Sequence, residues 1–257
     1  MVLSPAKKLD FETSCPLDNF SDPLFLEKTT LLVKELKKKS PHELSQLMKI
    51  SEKLGQLNAE RYKGFKTPFN REKAKQAIFA FTGDTYKGLD VSKFNAKDLQ
   101  YAQKSLRVLS GLYGLLSPLD LILPYRLEMG TKFGPKGFKN LYEFWQETLT
   151  EEINALAKKS KSKCLLNLAS KEYFSVLDEK KLKIPVIHPV FKEAKKGANE
   201  DFKVIGLFSK RARGMMARHV IRERIKDVSS LESFKESGYK FSKKDSSEKE
   251  LVFYRRY

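Results

Sequence analysis

Short apolar runs alternate with segments of helical period along the whole 257-residue chain, and that alternation narrows the fold more than any other feature. Residues 1–4, Ala77–Phe81, Cys164–Leu168, Val186–Phe191, Phe202–Phe208 and Leu251–Tyr254 read as strands. Helices are predicted over 23–39, from Asn95 to about Leu106, over Leu141–Lys158 and from about Arg211 to Lys226. A further helix opens at Ser40, with Pro41 in its first turn and Glu43 placed to complete a capping box. Its apolar positions Leu44, Leu47, Met48 and Leu54 keep the period, Gly55 is expected to stop it, and a short helix restarts near Asn58. Together these predict one compact mixed α/β domain over 1–257. It would have a mixed sheet, flanking helices and an N-terminal helical lobe at 23–75. The Lys-rich stretches 158–163 and 192–203 read as surface loops.

Charge constrains the partner. Lysine and arginine number 50 against 32 acids, a formal charge of +18, which disfavours compaction by self-repulsion and attracts polyanions. Nucleic acid is therefore the expected macromolecular partner. Met1–Lys7 carries no signal-peptide pattern and no run approaches eighteen apolar residues. The expected setting is the cytoplasm, with no membrane partner, and a monomer is the expected state. Cys15 and Cys164 lie far apart, and His42, His188 and His219 are scattered. No disulfide framework, metal site or cofactor is expected. The chain has no GxGxxG, P-loop lysine or GxSxG. Ser4-Pro5-Ala6-Lys7 has the Ser-x-x-Lys spacing of a serine nucleophile, but the same spacing recurs at Ser160, Ser237 and Ser246 without its partner motifs. Whether the protein is an enzyme stays open.

Two segments carry chemistry. On the basic helix Arg211, Arg218 and Arg222 fall on one face, while Ala217, Ile221 and Ile225 fall on a face suited to the core. Guanidinium groups pair bidentately with phosphate oxygens, so this face reads either as a phosphate surface or as a solvated amphipathic helix. The second is 108–130, apolar, poor in charge and punctuated by Gly and Pro, which reads as a functional loop or a packed irregular core element. Arg126 and Glu128 sit two apart within it, as an internal ion pair or as an anion-holding arginine beside a carboxylate base.

Four motifs give the chain a resemblance. They are Ser4-Pro5-Ala6-Lys7 before Leu9-Asp10, and Leu109–Gly114 with Tyr125–Gly130. The others are Asn167–Phe174 and Lys210–Arg218. In this order, with Asp245-Ser246-Ser247 before Leu251-Val252-Phe253, the chain resembles the bacterial YaaA family of peroxide-stress proteins. The resemblance implies an unusual mixed α/β fold, binding of duplex and branched DNA in a positively charged cleft, and a role in limiting oxidative damage. It also implies a helix-hairpin-helix element, matched here over Leu47–Arg61 with the hairpin at Leu54-Gly55-Gln56-Leu57. On that reading, backbone N–H groups at Gln56, Leu57 and Asn58 hold one phosphate beside Arg61. Arg211, Arg213, Arg218 and Arg222 neutralise others, and binding does not depend on base sequence. The competing reading is an enzyme or small-ligand site assembled from Lys7, Arg126, Glu128, Ser170, Glu172, Lys210 and Arg213.

Overall fold

The computed structural model describes residues 1–15, 17–195, 197 and 202–257. The chain opens with β1 (Val2–Leu3) and β2 (Lys8–Leu9), followed by helices α1 (Leu26–Leu36), α2 (Pro41–Met48) and α3 (Glu52–Gly64). Next come β3 (Lys75–Gln76), α4 (Ala77–Ala80), β4 (Phe81–Thr82), α5 (Asp84–Leu89) and α6 (Ala96–Ser105). Strands β5 (Arg107–Ser110), β6 (Gly114–Leu116) and β7 (Leu121–Ile122) precede the long α7 (Leu141–Ser160). The remainder is β8 (Leu165–Leu168), α8 (Lys171–Phe174), β9 (Val186–Ala194), α9 (Gly206–Arg222), β10 (Lys240–Phe241) and β11 (Glu250–Arg256).

Seven strands form one mixed sheet in the order β10-β11-β9-β8-β1-β5-β6. Strand β1 is parallel to both neighbours, with Leu3 opposite Val108 of β5 and Leu168 of β8. Val2 and Leu3 are fully buried, so a strand of only two residues lies inside the sheet, held from both sides. The outer strands β6 and β10 run antiparallel to their partners. Helix α9 lies against β8 and β9, α7 packs beside β6, and the helical lobe is tied on through the Thr29 hydroxyl, which donates to the Leu112 carbonyl. The 108–130 segment is core: it contains β5, β6 and β7, with Leu112 and Tyr113 fully buried, and the Trp145 indole donates to the Gly111 carbonyl.

The mixed α/β prediction and most elements stand as read, including the capping box in which Ser40 and Glu43 satisfy each other's backbone N–H groups. Three boundaries differ. Gly55 does not stop a helix; α2 ends at the left-handed Lys49, Ser51 caps α3, and Gly55 lies inside α3. A Cβ there would meet the Pro41 carbonyl oxygen at 2.4 Å, so the glycine permits close packing of α2 on α3 rather than a turn. The apolar run Ala77–Phe81 is a helical turn flanked by strand residues, because a short run buried on every side carries no period. The expected strand at Phe202–Phe208 is reduced to one antiparallel bridge, Lys203 with Glu193, and Gly206–Phe208 open α9 instead; Val204 and Leu207 are exposed, so the run lacks the burial that a strand reading assumed. Of the loop expected at 192–203, β9 takes residues up to Ala194, while Lys196 and 198–201 lie outside the described residues.

Candidate functional site

The chain leaves β1 for β5 on one side and later returns to β8 on the other. In open α/β sheets such a reversal opens a crevice beyond the carboxyl ends of the strands. The residues that follow β1 and β8 meet there. The Ser170 backbone N–H donates to Ser4 Oγ at 2.8 Å, and the Ser4 hydroxyl reaches Ser170 Oγ at 3.3 Å. Tyr86, from α5, donates to the Ser4 carbonyl, while Ser110 at the end of β5 shares a 2.7 Å hydrogen bond with the Tyr125 hydroxyl. Burial holds the phenols of Tyr86, Tyr125 and Tyr173 above their ordinary pKa, so they act as neutral hydrogen-bonding groups beneath the crevice.

Three charged groups sit above them. Glu128 Oε1 accepts from Arg126 Nε at 2.9 Å and lies 2.8 Å from Arg126 NH2, while Glu128 Oε2 is 3.1 Å from Lys7 Nζ. Arg126 and Glu128 side chains are 20% and 24% exposed and Lys7 is 63% exposed, so a half-shielded pair faces an open lysine. Tyr62 of α3 donates to the Arg126 carbonyl. Glu172 Oε1 accepts the Gly130 N–H at 3.0 Å, clasping the irregular run 126–130 to α8. Five of the seven expected ligand-site residues, Lys7, Arg126, Glu128, Ser170 and Glu172, thus belong to linked segments at one edge. Lys210 and Arg213 lie on α9, and among the described residues no hydrogen bond or ion pair joins them to that group. Sequence reasoning gave no role to Tyr86, nor to Ser110 and Tyr125, although the last two lie within the motifs that carry the resemblance.

The expected DNA-contacting residues fare unevenly. Gln56, Leu57 and Asn58 are interior to α3, where backbone N–H groups are spent on the helix ladder, so they offer no phosphate cradle. The Asn58 side chain is buried and donates to the Leu54 carbonyl. Arg218 does not share an open face with Arg211 and Arg222. Its side chain is 11% exposed, donates to the Gly88 carbonyl at 2.6 Å, and is paired with Asp90 and Glu236. Helical spacing gave its direction but not that α5 lies over it. Arg211 and Arg222 are exposed. Arg61 and Arg213 are half-buried, and burial lowers the pKa of both guanidinium groups.

Among the described residues no three His, Cys, Asp or Glu side chains gather as a metal site requires, and no helix is long and apolar enough to cross a membrane. Burial pushes the thiols of Cys15 and Cys164 up, which reduces the thiolate that reacts with oxidants. Cavities of about 660 and 550 Å³ open elsewhere, one among Met1, Arg107, Cys164 and Ile184 at the amino-terminal edge of the sheet, the other between His219 and Ser233. Neither is lined by an expected DNA-contacting or ligand-site residue.

A mixed sheet with paired serines and a Lys7–Glu128–Arg126 cluster on the segments that follow its parallel strands defines an α/β protein in which three of the four sequence motifs are linked. The profile of the family described as peroxide stress protein YaaA matches residues 1–245. The chain belongs to that family. It is 47% identical over 255 residues to a UPF0246 protein of Alteromonas mediterranea, covering 99% of this chain and 97% of the relative. A UPF0246 protein of Idiomarina loihiensis is 48% identical over 255 residues, with the same shares covered. One of Neisseria gonorrhoeae is 44% identical over 254 residues, again covering 99% and 97%.

Proposed function

We propose that the protein acts in the peroxide-stress response by binding duplex or branched DNA largely without sequence preference. The observation that carries this reading is a surplus of cations: the net charge is +18. Arg61, Arg211, Arg213, Arg222 and Lys210 have no carboxylate partner among the described residues. An unpaired guanidinium is available to neutralise phosphate, and partial burial of Arg61 and Arg213 raises the reward for acquiring a counter-charge. Binding through phosphates alone makes affinity a steep function of salt. With about six phosphates neutralised, affinity for a duplex falls by roughly three decades between ~50 and ~200 mM salt. Replacing both Arg211 and Arg222 by Ala lowers the slope of log affinity against log salt by about two. Fluorescence anisotropy at several salt concentrations measures both quantities. A salt-insensitive affinity, or no binding at ~50 mM salt, removes DNA from the proposal.

A further inference from the structure

We infer that the crevice over β1, β5 and β8 is a separate site for one phosphate monoester group, held by Arg126 and Lys7. The donors come first. Of the five N–H bonds of a guanidinium, Arg126 directs those of Nε and NH2 at Glu128 Oε1, which fixes the plane of the fork and leaves further N–H bonds unspent. Lys7 approaches the other carboxylate oxygen from the end of the β1 loop and is 63% exposed, so its ammonium is free to turn to an incoming anion. The hydroxyls of Ser4 and Ser170 stand together at the ends of β1 and β8. Ser4 and Lys7 follow β1 and Ser170 follows β8, and the neighbours of β1 on its two sides mark the reversal of topology at which open α/β sheets form a ligand crevice.

Charge sets the size of the ligand. Lys7 and Arg126 against Glu128 leave one positive charge, and displacing Glu128 frees two, which matches the charge of about −1.5 to −2 that a terminal phosphate carries near pH 7. Glu128 and the exposed Glu172 repel a continuous phosphate backbone, so the crevice does not suit the path of a duplex. Glu128 is then a built-in stand-in: it occupies the cations when the site is empty and competes with the ligand when it is full. A salt bridge that served structure alone would lack this competition, and the difference is measurable. The shared chemistry is a terminal phosphate, available either on a free nucleotide or on a DNA 5′ end.

The test titrates the intact protein with inorganic phosphate, followed by phosphorus NMR line width, and repeats the titration with adenosine 5′-monophosphate. Saturable binding is expected in the unaltered chain, weakened at least tenfold by Arg126→Ala and strengthened severalfold by Glu128→Gln. Arg126→Lys keeps the charge without the fork and weakens binding too, which serves if Arg126→Ala fails to fold. Two short duplexes differing only in their 5′ phosphates separate the sources. Preference for the phosphorylated duplex assigns the site to DNA ends, and tighter binding of the mononucleotide without that preference assigns it to free nucleotides. Absence of saturable phosphate binding overturns the inference. So does undiminished binding in both folded Arg126 variants, or weakened binding in folded Glu128→Gln.

Discussion

Asp120, in the turn between β6 and β7, is 3% exposed, and its carboxyl accepts the Ser21 hydroxyl at 2.6 Å and the Ser117 N–H at 2.7 Å. Burial outweighs these bonds and raises its pKa from 3.8 to about 6. The folded state therefore binds more protons than the unfolded one between those values. This contribution to stability is fully present below about pH 4 and is lost as pH rises through about 6. The swing is on the order of 2–3 kcal/mol. Asp120→Asn should abolish it, so urea unfolding from pH 4 to 7 should show the unaltered chain losing ground to the variant as pH rises. Parallel pH profiles would refute the assignment. Arg218 poses a different test at the same scale. Because it bridges Gly88, Asp90 and Glu236, Arg218→Ala should lower unfolding stability by about 1–3 kcal/mol while leaving the salt slope of DNA binding unchanged. A slope reduced by one in a stable variant would return Arg218 to the phosphate surface.

Helices α5 and α9 cross through a pair of glycines. A Cβ at Gly214 would lie 1.8 Å from the Thr85 carbonyl oxygen, and one at Gly88 would lie 2.0 Å from that of Arg211. In an exposed helix Gly→Ala stabilises by up to about 1 kcal/mol. Here the sign reverses: Gly214→Ala should destabilise by about 3 kcal/mol or more, because backbone must move to admit the methyl group. Thermal and urea denaturation read this directly, and a neutral or stabilising result would show that the helices do not cross so closely. The same physics limited what sequence could say. Ser40 and Asn95 announce α2 and α6 because a capping box is a local hydrogen-bond pattern written in three or four residues. Gly55 looks like a stop for an equally local reason, yet its cause is Pro41 fourteen residues away. Arg126 and Glu128 could be paired by spacing, whereas Lys7 joins them only through the tertiary fold.

Over the whole molecule, the parallel direction of β1, β5 and β8 collects loops that are distant in sequence at one edge, and that brings separate motifs together. Ser4-Pro5-Ala6-Lys7 had little weight as a spacing pattern that recurs elsewhere in a lysine-rich chain; its position at the end of the central strand supplies the rest. Excess charge likewise has meaning only at this scale. It fixes no single contact, but it sets the field in which a polyanion approaches.

The two residues of β1 also impose an order of events. Val2 pairs with Arg107 and with Asn167, so the strand that joins both halves of the sheet leaves the ribosome long before either neighbour exists. Until then its apolar side chains have no sheet to enter, and no local contact compensates for closing such long loops. The α2–α3 hairpin, whose helices are separated by three residues, meets no such delay. Folding should therefore begin at the periphery and finish at the centre, with Ser4 meeting Ser170 in the last step, when β1 slots between β5 and β8.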